Sequence, residues 1–198
     1  MENPLSYHKG YGMIEFNHIP VVDSYLEQAR DGVVVDVGCG SSDHGLKARW
    51  TRIFCAIEKD RATVADIINP KPNIQVLIAD AKSTPILTAS VDVVLAFGLF
   101  GNLDIYRDGS TDFDDAVGAL SDVFFAFAVE QRVKKTLVKR SQVVMAEMIR
   151  MLKPNGVVLI SNHLKRQPQK DFCRILRRHF SQIEVQSGTL RYLVIARK

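Results

Sequence analysis

Residues 33–45 read VVVDVGCGSSDHG. The first five are apolar and β-branched apart from Asp36, as in a strand covered on both faces. Gly38 and Gly40 then permit a tight turn and a close approach of backbone to a ligand. A helix following such a loop would offer free backbone N–H groups. A dinucleotide loop, G-x-G-x-x-G, would need its third glycine at position 43, where Asp43 stands and would repel a pyrophosphate. No Gly-Lys-Ser/Thr follows, so a P-loop is excluded as well. The expected ligand is one without phosphates.

Working outward, further continuous apolar runs appear at 54–58, 74–80, 91–97 and 156–161. Helical spacing separates them. Val22, Tyr25, Leu26 and Ala29 follow an i, i+3, i+4, i+7 pattern. Met145, Met148, Ile149 and Leu152 form a second such stripe, in a helix expected to stop at KPNG, 153–156. Phe172, Ile175, Leu176 and Phe180 form a third. Strands alternating with helices predict an α/β fold with helices on both faces of a mostly parallel sheet. The last two runs, 182–188 and 190–198, lie too close together for a parallel crossover. A hairpin at Ser187–Gly188 and an antiparallel last strand are expected, making seven strands in all.

The 198 residues suit one domain, 1–198, with residues 1–30 as an N-terminal arm and helix. Hydrophobic residues make up 46% and charged residues 24%, which is ordinary globular usage. No apolar run approaches the ~18 residues of a membrane helix, and the N-terminal segment has no apolar signal core. A cytoplasmic protein without a membrane partner is the expectation. Cys39, Cys55 and Cys173 are widely spaced and show neither a disulfide framework nor a metal pattern. No metal is expected. The net charge of +4 weakly favours an anionic partner.

Residues 104–139 break the alternation. Segment 104–122 carries six aspartates against one arginine, and 128–140 carries five Lys/Arg against one glutamate. Val117, Leu120, Phe124 and Phe127 between them fall at helical spacing. A helical insertion is expected here: a cap over the site, a homodimer contact through 117–127, or a helix packed on the core.

Chemistry is expected at the carboxyl ends of the strands, beside the point where strand order reverses. Asp36, Glu58, Asp80 and Phe97 end the first four strands. S-adenosylmethionine is a phosphate-free ligand that such ends would suit. Asp36 would attract its ammonium, and the Gly38–Gly40 backbone would pass its methionine part. Glu58, 22 residues after Asp36, would accept both ribose hydroxyls. Asp80 would take the adenine amino group, and Phe97 would pack on the ligand. Each also has a plainer reading: Asp36, Ser41 or Ser42 as a helix cap, Glu58 and Asp80 as polar strand ends.

The chain resembles a class I, Rossmann-like S-adenosylmethionine-dependent methyltransferase. VVVDVGCG resembles that family's first motif, CAIEKD its ribose-binding acidic motif and LIADAKSTPI its adenine motif. VDVVLAFGLFGNL resembles the fourth-strand motif, MLKPNGVVLIS the turn into the fifth strand, and RYLVIARK the antiparallel last strand. The resemblance covers roughly residues 30–103 and 140–198. It implies methyl transfer, S-adenosyl-L-methionine as cofactor, and Cys39, Lys59, Ala81 and Gly98 beside the residues already named. Two features depart from it: Ser42 where the family often has a third glycine, and the insertion at 104–139.

Methyl transfer from a sulfonium needs positioning and exclusion of water, and a general base only when the acceptor is weakly acidic. The catalytic residue therefore stays open, with Asn102, Tyr106 and His163 as candidates and Asp104 and Asn162 beside them. His163 would serve as a base at neutral pH, or lie solvated in a loop after the fifth strand. Tyr7, His8, Tyr11 and His18 would form a lid or a loosely packed arm. The exit AFGLFGN lacks the Asn/Asp-Pro-Pro-aromatic signature of enzymes that methylate exocyclic base amines. A small or medium-sized metabolite is the expected acceptor. RNA is the alternative, because residues 163–198 hold nine Lys/Arg against two acids, with Arg174, Arg177 and Arg178 on one helix. A third reading is a catalytically silent, cofactor-binding interaction partner.

Overall fold

The computed structural model describes residues 14, 16–40, 47–65, 72–100, 141–163, 169–188 and 191–198. Seven strands form: β1 Val33–Val37, β2 Ile53–Glu58, β3 Ile74–Ile78, β4 Val91–Phe97, β5 Leu152–His163, β6 Gln182–Ser187 and β7 Arg191–Arg197. They lie in one sheet in the order β3-β2-β1-β4-β5-β7-β6. β1 to β5 pair in parallel, and β7 runs antiparallel to both of its neighbours. The antiparallel strand expected at the end of the chain is thus an inner strand of the sheet. β3 and β6 are the edges.

Successive side chains of each strand point to opposite faces, and two apolar cores result. One gathers Val35, Val37, Cys55, Ile57, Val94, Ala96, Val158, Ile160, Tyr192 and Val194. The other gathers Val34, Phe54, Ala56, Val93, Leu95, Phe97, Val157, Leu159, Leu193 and Ile195. This double burial explains why the strands read as unbroken apolar runs. Helix α1, Ile19–Gln28, begins with Pro20 in its first turn, where the missing N–H is no loss. Its Ile19, Val22 and Leu26 join the second core. α2 is the short turn Arg61–Ala65. α3, residues 141–151, packs Val144, Met145, Met148 and Met151 into the first core, with Phe172 and Leu176 of α4, Gln169–Leu176. Helices therefore cover both faces, as the alternation of periods predicts.

Several expectations need correction. Asp80 lies two residues beyond the end of β3, in an isolated bridge with Ser83, and Asp36 is the last residue but one of β1. Helix α4 ends at Leu176, so Arg177, Arg178 and Phe180 lie beyond it. Leu152 belongs to β5, opposite Val91 across a register shift, and α3 ends one residue earlier. β5 also runs on through Asn162 and His163, because β7 supplies Tyr192 and Arg191 as ladder partners. His163 is the last residue of a strand and not a loop residue. His18 is buried at the N-cap of α1, neither lid nor loose arm. Tyr7, His8, Tyr11 and the whole insertion at 104–139 lie outside the described residues.

Long-range polar contacts tie connections to the sheet. The Val33 N–H donates to Asp92 Oδ2 at 2.9 Å, and Lys153 Nζ reaches the same oxygen at 2.8 Å. Glu147 on α3 accepts from the Thr84 N–H at 2.7 Å, the Thr84 hydroxyl at 2.8 Å and Arg150 Nε at 2.7 Å. Arg150 in turn donates to the Ile86 carbonyl at 2.7 Å. The β3–β4 connection is thereby pinned to α3. Lys198 Nζ donates to the carbonyls of Ile149 and Leu152 at 2.7 and 2.8 Å, closing the carboxyl end of α3 where cations are favoured.

Candidate functional site

Strand order reverses between β1 and β4, so their carboxyl ends flank the switch point. Asp36 pairs with Leu95 and Ala56, Glu58 with Ile78, and Phe97 with Ser161. Counting on by two puts Gly38 level with Glu58 and Phe97. The glycines, the acid that ends β2 and the aromatic that ends β4 thus share one end of the sheet.

Gly38 has φ +68° and Gly40 φ +60°, the left-handed region that glycine enters without penalty. The N–H groups of Gly38 and Cys39 both donate to the Ile57 carbonyl, at 2.8 and 3.2 Å, folding the loop back over β2. A Cβ on Gly38 would lie 2.7 Å from Leu99 Cδ1, so the turn and the exit of β4 fit closely. Gly98, with φ +77° and its N–H on the Ser161 carbonyl at 2.8 Å, sets that exit. Around Gly40 a Cβ would meet nothing within 4 Å among the described residues.

Glu58 is clamped by backbone. Its Oε2 accepts from the Gly40 N–H at 3.2 Å. Its Oε1 accepts from the N–H groups of Lys59 and Asp60 at 2.7 and 3.2 Å. Next to it Lys59 Nζ bonds Asp80 Oδ2 at 2.9 Å, while the Lys82 N–H bonds Asp80 Oδ1 at 3.0 Å. Burial pushes the Asp80 carboxyl up, but the bonds from Lys59 and Lys82 outweigh it and hold the group below its usual range. A continuous polar chain therefore runs from Gly40 through Glu58 and Lys59 to Asp80. Ala81 is half-buried beside it.

Just before the loop in the chain, Asp36 belongs to a pair that sequence reading missed. Asp36 is buried, and its carboxylate is paired with the ammonium of Lys47, which is equally buried. Lys47 Nζ also stands 6.0 Å from the centre of the Phe97 ring. The only trace of this in the sequence is a lysine set between Leu46 and Ala48. Cys39 is buried, and desolvation first, then the Asp36 charge, raises its thiol well above the ordinary range. The same surroundings disfavour its thiolate form.

The described site carries three carboxylates, Asp36, Glu58 and Asp80, and two ammonium groups, Lys47 and Lys59. Three negative against two positive charges leave a net −1, which suits a cation better than a pyrophosphate. Ser41, Ser42, Asp43, Asn102, Asp104 and Tyr106 lie outside the described residues, and of His163 only the backbone position is described. Among the described residues no group of three or more His, Cys, Asp or Glu is placed to hold a metal ion. No described helix is long and apolar enough to cross a membrane.

No family model matches the chain, and no curated protein matches it. Solved structures do. The chain is similar to a SAM-dependent methyltransferase from Aquifex aeolicus, with 14% identity, a TM-score of 0.60, and coverage of 100% of this chain and 99% of that one. It is similar to the N-methyltransferase NodS from Bradyrhizobium japonicum in complex with S-adenosyl-L-homocysteine, with 12% identity, a TM-score of 0.61, and coverage of 92% and 85%. A SAM-dependent methyltransferase from Methanosarcina mazei matches with 15% identity, a TM-score of 0.59, and coverage of 90% and 97%. At these identities the likeness is one of fold: the chain has the seven-stranded architecture of the class I, Rossmann-like methyltransferases.

Proposed function

We propose that on this fold the chain works as an S-adenosylmethionine-dependent methyltransferase acting on a small or medium-sized metabolite. The observation that carries the reading is the clamp between Gly40 and Glu58 beside the switch point, 3.2 Å long, with no atom of the described residues within 4 Å of where a Gly40 Cβ would stand. When bound, the cofactor supplies an activated methyl group on sulfur. Glu58 would accept the ribose hydroxyls. A carboxylate has about four acceptor positions, and three are filled here, so a ribose taking two would displace the long Gly40 contact. Asp80 would accept from the adenine amino group, and its half-exposed ion pair with Lys59 is weak enough to yield. Cys39, Lys59, Ala81, Phe97 and Gly98 would line the cofactor. Asp36 is engaged by Lys47, so the ligand's ammonium would meet a neutral pair there and not a lone carboxylate.

The site's charge supports the reading too, since a methionine-linked adenosyl sulfonium carries a net +1 and no phosphate. The acceptor would enter past β4 and β5, with Asn102, Tyr106 and His163 as the residues to test for a base. A second reading, RNA as acceptor, draws on one observation: Arg174, Arg177 and Arg178 are all exposed. It requires an RNA affinity that falls steeply with salt.

The test is calorimetry with S-adenosylhomocysteine. The wild type is expected to bind, and Glu58→Ala to bind at least tenfold more weakly. Equal affinities would remove Glu58 from the site, and no binding by the wild type would remove the function. Radiolabelled methyl transfer to pooled metabolites against transfer to RNA then separates the two acceptors.

A further inference from the structure

The Asp36–Lys47 pair does more than fill the core. Both side chains are 2% exposed, and the two residues stand eleven positions apart. One is the last residue but one of β1, just before Gly38 and Gly40. The other brings its ammonium to that carboxylate and within 6.0 Å of the Phe97 ring at the end of β4. Burying two charges is costly, and an apolar pair of the same size would serve packing as well or better. Stability alone is therefore a poor reason for a lysine here. What an ion pair adds is direction, because its geometry fixes both partners where an apolar pair could slide. Phe97, on the far side of the switch point, stands 6.0 Å from the ammonium and extends the same fixed group.

We propose that Lys47 is a positioning residue: by neutralising and orienting Asp36 it holds the Gly38–Gly40 turn in the form that receives the amino-acid end of the adenosyl ligand. The inference deepens the proposed function and rests on it. Asp36 lies two residues before Gly38 and its charge reaches Cys39 inside the turn, whereas Glu58 and Asp80 hold their places through backbone N–H groups and Lys59. Loss of the pair should harm recognition of the amino-acid end and spare recognition of the nucleoside end.

Single substitutions such as Lys47→Met strand a buried carboxylate and risk unfolding. The informative protein is the double variant Asp36→Leu with Lys47→Met, which removes both charges. Its affinity for S-adenosylhomocysteine and for 5′-methylthioadenosine, which lacks the amino-acid end, is compared with wild type by calorimetry. The expected result is a loss of tenfold or more for the first ligand and under threefold for the second. A merely structural pair would lower both affinities by one common factor or by none, and either result overturns the inference while leaving the wild-type binding intact. If the double variant does not fold, Asp36→Asn with Lys47→Gln, which also removes both charges, replaces it, and an unchanged preference between the two ligands overturns the inference. Failure of the wild type to bind either ligand defeats the functional reading itself, and the inference with it.

Discussion

At Gly38 two demands coincide. Its φ of +68° costs an L-residue roughly 1–2 kcal/mol, and a Cβ would press on Leu99 at 2.7 Å. Among the described residues Gly40 meets only the first demand. Gly40→Ala is therefore expected to cost about 1 kcal/mol in urea unfolding, and Gly38→Ala clearly more. Equal costs would mean that Leu99 moves aside freely. Glu147 gives the pH counterpart. The Arg150 guanidinium, with help from Thr84 and against some desolvation, holds its carboxyl down at about 2 from an ordinary 4.5. A depressed folded pKa gives stability that is complete above the unfolded value and is lost as acid titrates the folded group. Denaturation free energy should thus fall between about pH 4.5 and about 2, and Glu147→Gln should flatten that fall. The glycines were legible in the sequence because loop chemistry is local. Lys47 was not, because a lysine beside apolar neighbours reads the same whether its head reaches water or a buried carboxylate eleven positions earlier.

Among elements, the strands were the most legible, since burial on both faces writes itself as an unbroken apolar run. Their ends were less so. Nothing local distinguishes Leu152 as the end of a helix from Leu152 as the start of a strand; Val91 across the ladder decides it. Likewise Asn162 and His163 are strand only because β7 offers partners. Helix α3 ends on carbonyls that Lys198 satisfies from the other end of the chain. Lys198→Met is expected to lower stability by about 0.5–1.5 kcal/mol, with an unchanged denaturant slope. No loss would show that water replaces the ammonium without cost.

For the whole molecule, the alternating periods made a mostly parallel sheet legible, and neither the strand order nor the inner position of β7 was. A ligand that binds only the folded state stabilises it by mass action. S-adenosylhomocysteine at a hundred times its dissociation constant adds about 2.7 kcal/mol. For a chain of this size that corresponds to a rise of roughly 5–10 °C in Tm. NAD, whose pyrophosphate meets a net negative site, should leave Tm unmoved. A rise with NAD and none with S-adenosylhomocysteine would reverse the assignment of the loop.

β6 joins the sheet through β7 alone. The hairpin is consequently the natural first place for partial opening. In deuterated buffer, amides of β6 should exchange well before those of β1 and β4 at the middle of the sheet. β7 should hold longer: Tyr192–Arg197 pair with β5 as well as with β6, so the amides of β7 that bond β5 should stay protected after β6 is lost. Such peeling would leave the far half of the sheet, with its glycine turn, still assembled.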